Sequence, residues 1–105
     1  MSSYGEAGVS LAKAEDVVER LRAAVESTRT DRVEGSLGAF AGLFALDEER
    51  LLAATTDGVG SKLILSRRAG RLFDAGIDLA AHCANDLATT GAEPLFFLDY
   101  AAAAE

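Results

Sequence analysis

The first part of the chain alternates apolar and charged positions with a helical period. Between Leu11 and Arg29, alanine, valine and leucine recur at every third or fourth position, and charged residues fill most of the positions between them. This spacing places the apolar side chains on one face of a helix. Ser10 stands directly before the pattern, where its hydroxyl can accept a hydrogen bond from a backbone N–H of the first turn. We therefore predict an amphipathic helix over Leu11–Arg29, capped by Ser10, and a polar link over residues 30–36.

The period then changes to two, which is typical of β-strands. Within Leu37–Leu46 the side chains of Phe40 and Phe44 fall on one face. Residues 47–49 are all acidic and suit the turn of a hairpin. Leu51–Thr56 then has the composition of a returning strand, so a β-hairpin is predicted here.

Two helices and a final strand are predicted in the rest of the chain. Lys62–Arg71 fits a short helix, and Ala75–Thr90 fits a longer one that Gly91 caps and Pro94 stops. The apolar run Leu95–Leu98 is expected of a strand covered on both faces. The order helix, strand, strand, helix, helix, strand predicts a mixed α/β (α+β) domain. Because the chain stops just after a strand of this central type, we expect it to be cut within a domain or to depend on association.

Composition narrows the possible classes of function. Of the 105 residues, 50% are hydrophobic and 26% are charged, which favours one packed domain over disorder. The formal net charge is -7 and the ten basic residues form no stripe, so we expect no nucleic-acid surface. No apolar run reaches the roughly 18 residues of a membrane span. The single cysteine, Cys83, and the lack of a signal peptide favour a cytoplasmic protein.

The stretch Thr55–Lys62, with the sequence Thr-Thr-Asp-Gly-Val-Gly-Ser-Lys, is the strongest candidate for chemistry. Gly58 and Gly60 allow the backbone to approach an anion closely, so that successive N–H groups can cradle phosphate oxygens. Lys62 adds a positive charge, and Asp57 adds a hard oxygen ligand for magnesium. The spacing is neither that of a P-loop nor that of a dinucleotide fingerprint. A tight strand-to-helix turn that simply needs glycine is the alternative, and the pattern alone does not decide between them.

A polar stripe on the helix Ala75–Thr90 is the second candidate. Like charges on neighbouring turns repel, so a cation held by Asp78 and Asp86 would relieve that cost. The alternative is an ordinary solvated helix face, which is the commoner case. Cys83 has no adjacent base or second cysteine and is interpreted as a small buried hydrophobe. The stripe comprises Asp78, His82, Asn85 and Asp86.

The glycine-rich stretch Gly35–Phe40 is a weaker candidate. It could bind around a nucleotide, or its glycines could simply give the backbone the freedom to enter the following strand. The second interpretation is favoured. Asp99 is unusual because it interrupts an apolar run, where an unpaired charge is costly.

Together these motifs resemble the aminoimidazole ribonucleotide synthetase family (phosphoribosylformylglycinamidine cyclo-ligases) of the PurM-like ATP-binding superfamily. Their order and spacing match over nearly the whole chain, and the most specific block is Gly91–Tyr100. The chain corresponds to about the first third of a typical member. The motifs that carry the resemblance are Ser3-Tyr4, Ala7–Val9, Gly35–Phe44, Thr56–Leu63, Gly76–Ala80, Asn85–Leu87 and Gly91–Tyr100.

The resemblance implies a fold and a partner. Members have an α/β N-terminal domain whose mixed sheet forms a β-barrel across a homodimer, and a separate C-terminal domain. For this chain it implies an N-terminal segment and helix over residues 1–30, a partial ATP-binding domain over residues 31–105, and no C-terminal domain. The run Leu95–Leu98 would be a barrel strand completed by missing residues and by the partner subunit.

The resemblance also implies an activity that uses ATP and Mg²⁺. ATP phosphorylates the formyl oxygen of formylglycinamidine ribonucleotide, and an amidine nitrogen then attacks that carbon. Ring closure yields aminoimidazole ribonucleotide, ADP and phosphate. We expect the 105-residue chain alone to be inactive. The implied site residues are Lys62 and Asp57 for catalysis, Gly58, Val59, Gly60, Ser61, Lys62 and Asn85 for the nucleotide, and Asp86, Asp57 and Asp78 for the metal.

Several positions depart from the family pattern, and two other functions stay open. Ser61 replaces a threonine but keeps the hydroxyl, while Ser36 and Ala39 replace glycines, so close backbone contact is less expected there. The first alternative function is another ATP-using member of the superfamily, of the formylglycinamidine ribonucleotide synthetase or thiamine-phosphate kinase type. The second is a non-catalytic dimerisation module.

Overall fold

The chain combines three helices with a three-stranded sheet over the residues that the computed structural model describes. These are residue 3, residues 5–6, residue 8 and residues 10–103. The predicted combination of helices with a small sheet is confirmed. The elements are α1 (Leu11–Glu26), β1 (Val33–Glu34), β2 (Gly42–Ala45), β3 (Leu51–Ala54), α2 (Lys62–Arg68) and α3 (Leu72–Ala88).

Helix α1 begins where the sequence predicts. The backbone N–H of Lys13 donates to the hydroxyl of Ser10 at 3.3 Å, which is the predicted cap. The helix ends at Glu26, three residues short of the prediction. The hydroxyls of Ser27 and Thr28 donate to carbonyl oxygens of the last turn, at 2.6 and 2.7 Å. Such local hydrogen bonds favour the end of a helix.

The sheet has the strand order β1-β2-β3 and is antiparallel at every pairing in the described part of the chain, rather than mixed. Phe44 in β2 pairs with Val33 on one side and Leu52 on the other. The predicted hairpin between β2 and β3 is confirmed. Its turn is closed by the carboxylate of Asp47, which accepts from the backbone N–H of Arg50 at 2.8 Å.

The prediction that β2 starts at Leu37 is wrong, because the strand begins only at Gly42. Gly35 and Gly38 have φ values of 75° and 106°, in the left-handed region that strands do not use. Strand β1 lies within the stretch predicted as a polar link. Its pairing with β2 is a tertiary contact that the local pattern does not reveal.

Helices α2 and α3 pack against each other and end close to glycines. Helix α2 stops at Arg68, three residues short of the prediction, and Gly70 follows with φ 67°. Helix α3 begins at Leu72, three residues earlier than predicted, and ends at Ala88. Gly91 follows with φ 75°, which supports its predicted role as a cap.

The predicted strand Leu95–Leu98 forms no ladder with the described residues, so that prediction is wrong for this chain. The side chains of Leu95 and Leu98 are 76% and 82% exposed. Among the described residues, strand β3 pairs only with β2 and is at the edge of the sheet, and the final segment is hydrogen-bonded to no strand.

The described residues enclose only a small core. The buried apolar side chains are the short ones of Ala41, Ala75 and Cys83, while many large apolar side chains are exposed and α1 buries none of its residues. The radius of gyration is 17.1 Å, whereas about 13 Å is usual for a compact domain of this length. Among the helices that the structure describes, none is both long and apolar enough to cross a bilayer.

Candidate functional site

The predicted phosphate-binding turn joins β3 to α2 and borders a groove. This groove has a volume of about 1130 Å³. Residues 55–60 line it, together with β3, one side of α3 and the final segment. Most of the lining is apolar, and Asp57 brings a carboxylate to its wall.

Of the two glycines of the turn, only Gly60 has a structural reason to be glycine. Gly60 has φ 70°, in the left-handed region that disfavours side chains. Gly58 does not have a positive φ, and a Cβ built on it would meet no heavy atom within 4 Å. The backbone N–H of Gly58 donates to Oδ1 of Asp57 at 2.7 Å. Neither the backbone nor the neighbouring atoms therefore require a glycine at position 58.

Lys62, the first residue of α2, forms an ion pair with Asp78 of α3. Its Nζ contacts Oδ2 of the aspartate. The lysine side chain is about half exposed and the aspartate about one-third exposed. The hydrogen bond from Lys62 lowers the pKa of Asp78. Partial desolvation raises this pKa, and the charges of Lys62 and His82 lower it further. The ion pair joins two candidate residues that the sequence assigned to different roles.

Asp86 lies beside the end of β3, close to a threonine to which the sequence motifs gave no role. The hydroxyl oxygen of Thr55 lies 2.9 Å from the carbonyl oxygen of Phe40 and 3.3 Å from Oδ2 of Asp86. A hydroxyl has one proton to donate. The shorter distance favours donation to Phe40, so Asp86 keeps lone pairs for another donor or a cation. A threonine at the end of a strand, next to a candidate turn, is the signal that could have suggested this contact.

The three predicted metal ligands do not meet at one point. Asp57 contacts its own turn, Asp78 contacts Lys62, and Asp86 contacts Thr55. In the described ranges, no group of three or more His, Cys, Asp or Glu side chains is arranged to hold a metal ion. The predicted magnesium ligand set therefore stays a prediction.

Two other residues of α3 differ in their position relative to the groove. Asn85 is exposed and does not line the groove. Cys83 is buried and lines the groove wall with a free thiol, which confirms its interpretation as a small buried hydrophobe.

The glycine-rich stretch Gly35–Phe40 borders a second, smaller groove of about 470 Å³ between the end of α1 and the sheet. Arg29 ties this stretch to α1. Its guanidinium donates to the carbonyl oxygens of Val33 at 3.1 Å and Gly35 at 2.6 Å, and pairs with Glu26. The local sequence pattern does not identify Arg29 as the residue that holds this loop.

Comparison with known proteins identifies the family. The profile described as AIR synthase related protein, N-terminal domain, matches residues 38–105. Three similar proteins are each named phosphoribosylformylglycinamidine cyclo-ligase. The one from Synechococcus sp. (strain RCC307) is 53% identical over 102 residues, which cover 94% of this chain and 30% of that protein. The one from Coxiella burnetii (strain RSA 331 / Henzerling II) is 48% identical over 101 residues, covering 93% and 29%. The one from Lactobacillus acidophilus (strain ATCC 700396 / NCK56 / N2 / NCFM) is 43% identical over 106 residues, covering 97% and 31%.

The chain thus spans less than a third of the length of these curated relatives, in their N-terminal part. No solved structure gives a significant match. The family profile covers well over half of the chain, and the family resemblance seen in the motifs is confirmed. The chain belongs to the AIR synthase related protein family, and its residues 38–105 match the N-terminal domain of that family.

Proposed function

We propose that this chain is the nucleotide-binding part of an ATP-dependent cyclo-ligase of purine biosynthesis. The observation that carries the proposal is the turn Asp57–Lys62 in a member of this family: Asp57 and both glycines line a large groove, and Lys62 follows at the start of α2. The names of the relatives favour ring closure over the amidotransferase and kinase chemistries of the superfamily.

The proposed reaction activates a poor leaving group. The γ-phosphoryl group of ATP is transferred to the formyl oxygen of formylglycinamidine ribonucleotide, and ADP leaves. An amidine nitrogen attacks the same carbon and loses a proton, and the carbon–oxygen bond breaks to release phosphate. The products are aminoimidazole ribonucleotide, ADP and inorganic phosphate. Catalysis of phosphoryl transfer rests mainly on positioning and charge stabilisation, and a lysine beside glycine N–H groups can supply both.

The backbone conformation and open surroundings of the two glycines support this role for the turn. Gly60 gives the backbone its left-handed bend. Gly58 faces open space, where a phosphate oxygen can approach the backbone to hydrogen-bonding distance. Its N–H would exchange the Asp57 carboxylate for the phosphate oxygen, and Lys62 would add a charge-assisted contact.

Oxygen donors near the turn are of the type that magnesium prefers. Asp86 is the leading candidate ligand because its carboxylate keeps free lone pairs beside Thr55. Asp57 and Asp78 are the further carboxylates, and Asn85 could support them. A bound magnesium ion offsets negative charge on the phosphates.

We also propose that a second copy of the chain covers the exposed final segment. The apolar side chains of Leu95–Leu98 are exposed, and the outer edge of β3 carries no strand within the described residues. Unpaired edges of this kind recruit other chains. This observation favours a homodimer, and it also fits the alternative of an association module without turnover.

Substrate-dependent ADP release tests the proposed reaction. A protein that carries this sequence and the full length of its relatives should release ADP when both ATP and formylglycinamidine ribonucleotide are present. Omission of the ribonucleotide is the control. ADP release with thiamine phosphate, or with glutamine and formylglycinamide ribonucleotide, but not with formylglycinamidine ribonucleotide, would move the chain to another branch of the superfamily.

A further inference from the structure

The lysine of the proposed phosphate-binding turn already has an anionic partner within the chain. Lys62 pairs with Asp78 across the α2–α3 interface, although the two residues are 16 positions apart in the sequence. The nearby Arg71 pairs with Asp74 of its own helix turn. Lys62 therefore links the turn to α3 through one specific carboxylate.

A phosphate that reaches Lys62 meets this carboxylate at the same nitrogen. An ammonium group has three N–H donors, so geometry alone would allow both partners. Charge disfavours simultaneous contact of both partners with Lys62, because an ionised carboxylate repels a neighbouring polyphosphate. The side chain of Asp78 is partly exposed and can turn towards solvent.

We propose that Asp78 is the resting partner of Lys62 and an intramolecular competitor of the phosphate group that this lysine binds. The inference rests on the proposed function, since it needs an anion at the turn. It gives Asp78 a role different from that of a metal ligand. As a competitor, Asp78 weakens the binding of polyphosphate and holds the lysine in place until the anion arrives.

The size of the competition follows from the exposure of the pair. Ion pairs at exposed positions contribute little, and their loss corresponds to a change of about two- to fivefold in an equilibrium constant. Asp78→Asn keeps the shape and removes the charge, so polyphosphate should bind about two- to fivefold more tightly. A metal ligand would behave in the opposite way, because its loss weakens the binding of magnesium-bound ATP.

The two lysines of the chain allow the resting contact to be measured without any ligand. Lys13 on α1 serves as an internal reference for Lys62. Acylating reagents must reach Nζ of Lys62, and the contact with Oδ2 of Asp78 occupies this atom. Asp78→Asn should therefore raise the acetylation rate at Lys62, read by peptide mass spectrometry, and leave Lys13 unchanged. Asp74→Asn, which removes a carboxylate one turn earlier on α3, is the matched control and should change neither rate.

Calorimetric titration with inorganic tripolyphosphate in metal-free buffer, and with ATP, completes the test. Tighter binding to Asp78→Asn than to the unmodified chain, with faster acetylation at Lys62, supports the proposal. An unchanged acetylation rate at Lys62, or weaker or unchanged anion binding to the variant, overturns it. If acetylation responds as expected but neither chain binds tripolyphosphate or ATP, the proposed function of the turn fails, and with it the competition. Circular dichroism of both variants verifies that they fold.

Discussion

The hydroxyl oxygen of Thr55 lies 3.3 Å from Oδ2 of Asp86, although 31 positions separate the two residues in the sequence. The same oxygen lies 2.9 Å from the carbonyl oxygen of Phe40. One side chain thus brings the end of β3 into contact with the segment before β2 and with the last turns of α3.

Removal of the Thr55 hydroxyl should loosen this connection. Thr55→Val keeps the shape and should lower the free energy of unfolding by about 0.5–1 kcal/mol, because the hydrogen bond to the Phe40 carbonyl oxygen is lost. Thr55→Ser keeps the hydroxyl and should lose less. Urea unfolding of both variants measures the difference. A valine variant at least as stable as the serine variant would show that the hydroxyl does not stabilise the fold.

The two glycines of the turn should respond differently to alanine. Gly60→Ala forces a side chain into a left-handed conformation and should cost about 1–2 kcal/mol of stability. Gly58→Ala meets no such strain and should stay within about 0.5 kcal/mol, yet it should weaken the binding of tripolyphosphate. Unfolding and calorimetry on the matched pair separate the two effects. Equal losses of stability in both variants would contradict the distinction.

The chain should lose stability in acid through two ion-paired carboxylates. Arg50 lowers the pKa of Asp47, and Lys62 lowers the pKa of Asp78. A carboxyl whose pKa is lower in the folded state stabilises the fold when the pH is above its pKa in the unfolded chain, which is about 3.9. That stabilisation disappears as the pH falls through the folded-state pKa.

Urea unfolding at pH 7, 5, 4 and 3 measures this dependence. The midpoint should fall mainly below about pH 4, and the fall should be smaller in the double variant Asp47→Asn, Asp78→Asn. The same midpoint change in the double variant and the unmodified chain would show that other groups govern the loss.

The exposed final segment should associate. Light scattering at micromolar concentration should give a mass above that of one chain. Phe96→Lys places a charge in the segment and should shift the mass towards the monomer. Phe73→Lys is the control, because Phe73 is 82% exposed, compared with 74% for Phe96, but lies outside the lining of the groove. A monomeric unmodified chain would contradict the association.

Features that depend on neighbours in the sequence could be predicted. The Ser10 cap and the turn closed by Asp47 each use hydrogen bonds between residues at most three positions apart. Gly91 with its positive φ was likewise visible as a helix end. In these cases the residue type and its local spacing determine the backbone conformation.

Features that depend on distant partners could not be predicted. The alternation in Leu37–Leu46 suggested a long strand, but the backbone of Gly38 excludes the first half of it. The apolar run Leu95–Leu98 has the composition of a central strand, but composition does not show whether another strand lies beside it. The candidate residues of the turn and of α3 were found, but the pairing of Lys62 with Asp78 needs the packing of two helices.

Calorimetric titration of the chain with ATP tests most directly whether the turn Asp57–Lys62 binds phosphate. Lys62→Ala should weaken binding by about tenfold or more, because a charge-assisted contact to phosphate is lost. Lys13→Ala removes the only other lysine, on α1, and should leave the affinity unchanged. Equal ATP affinities of the unmodified chain and Lys62→Ala would contradict the assignment of the turn to the phosphates.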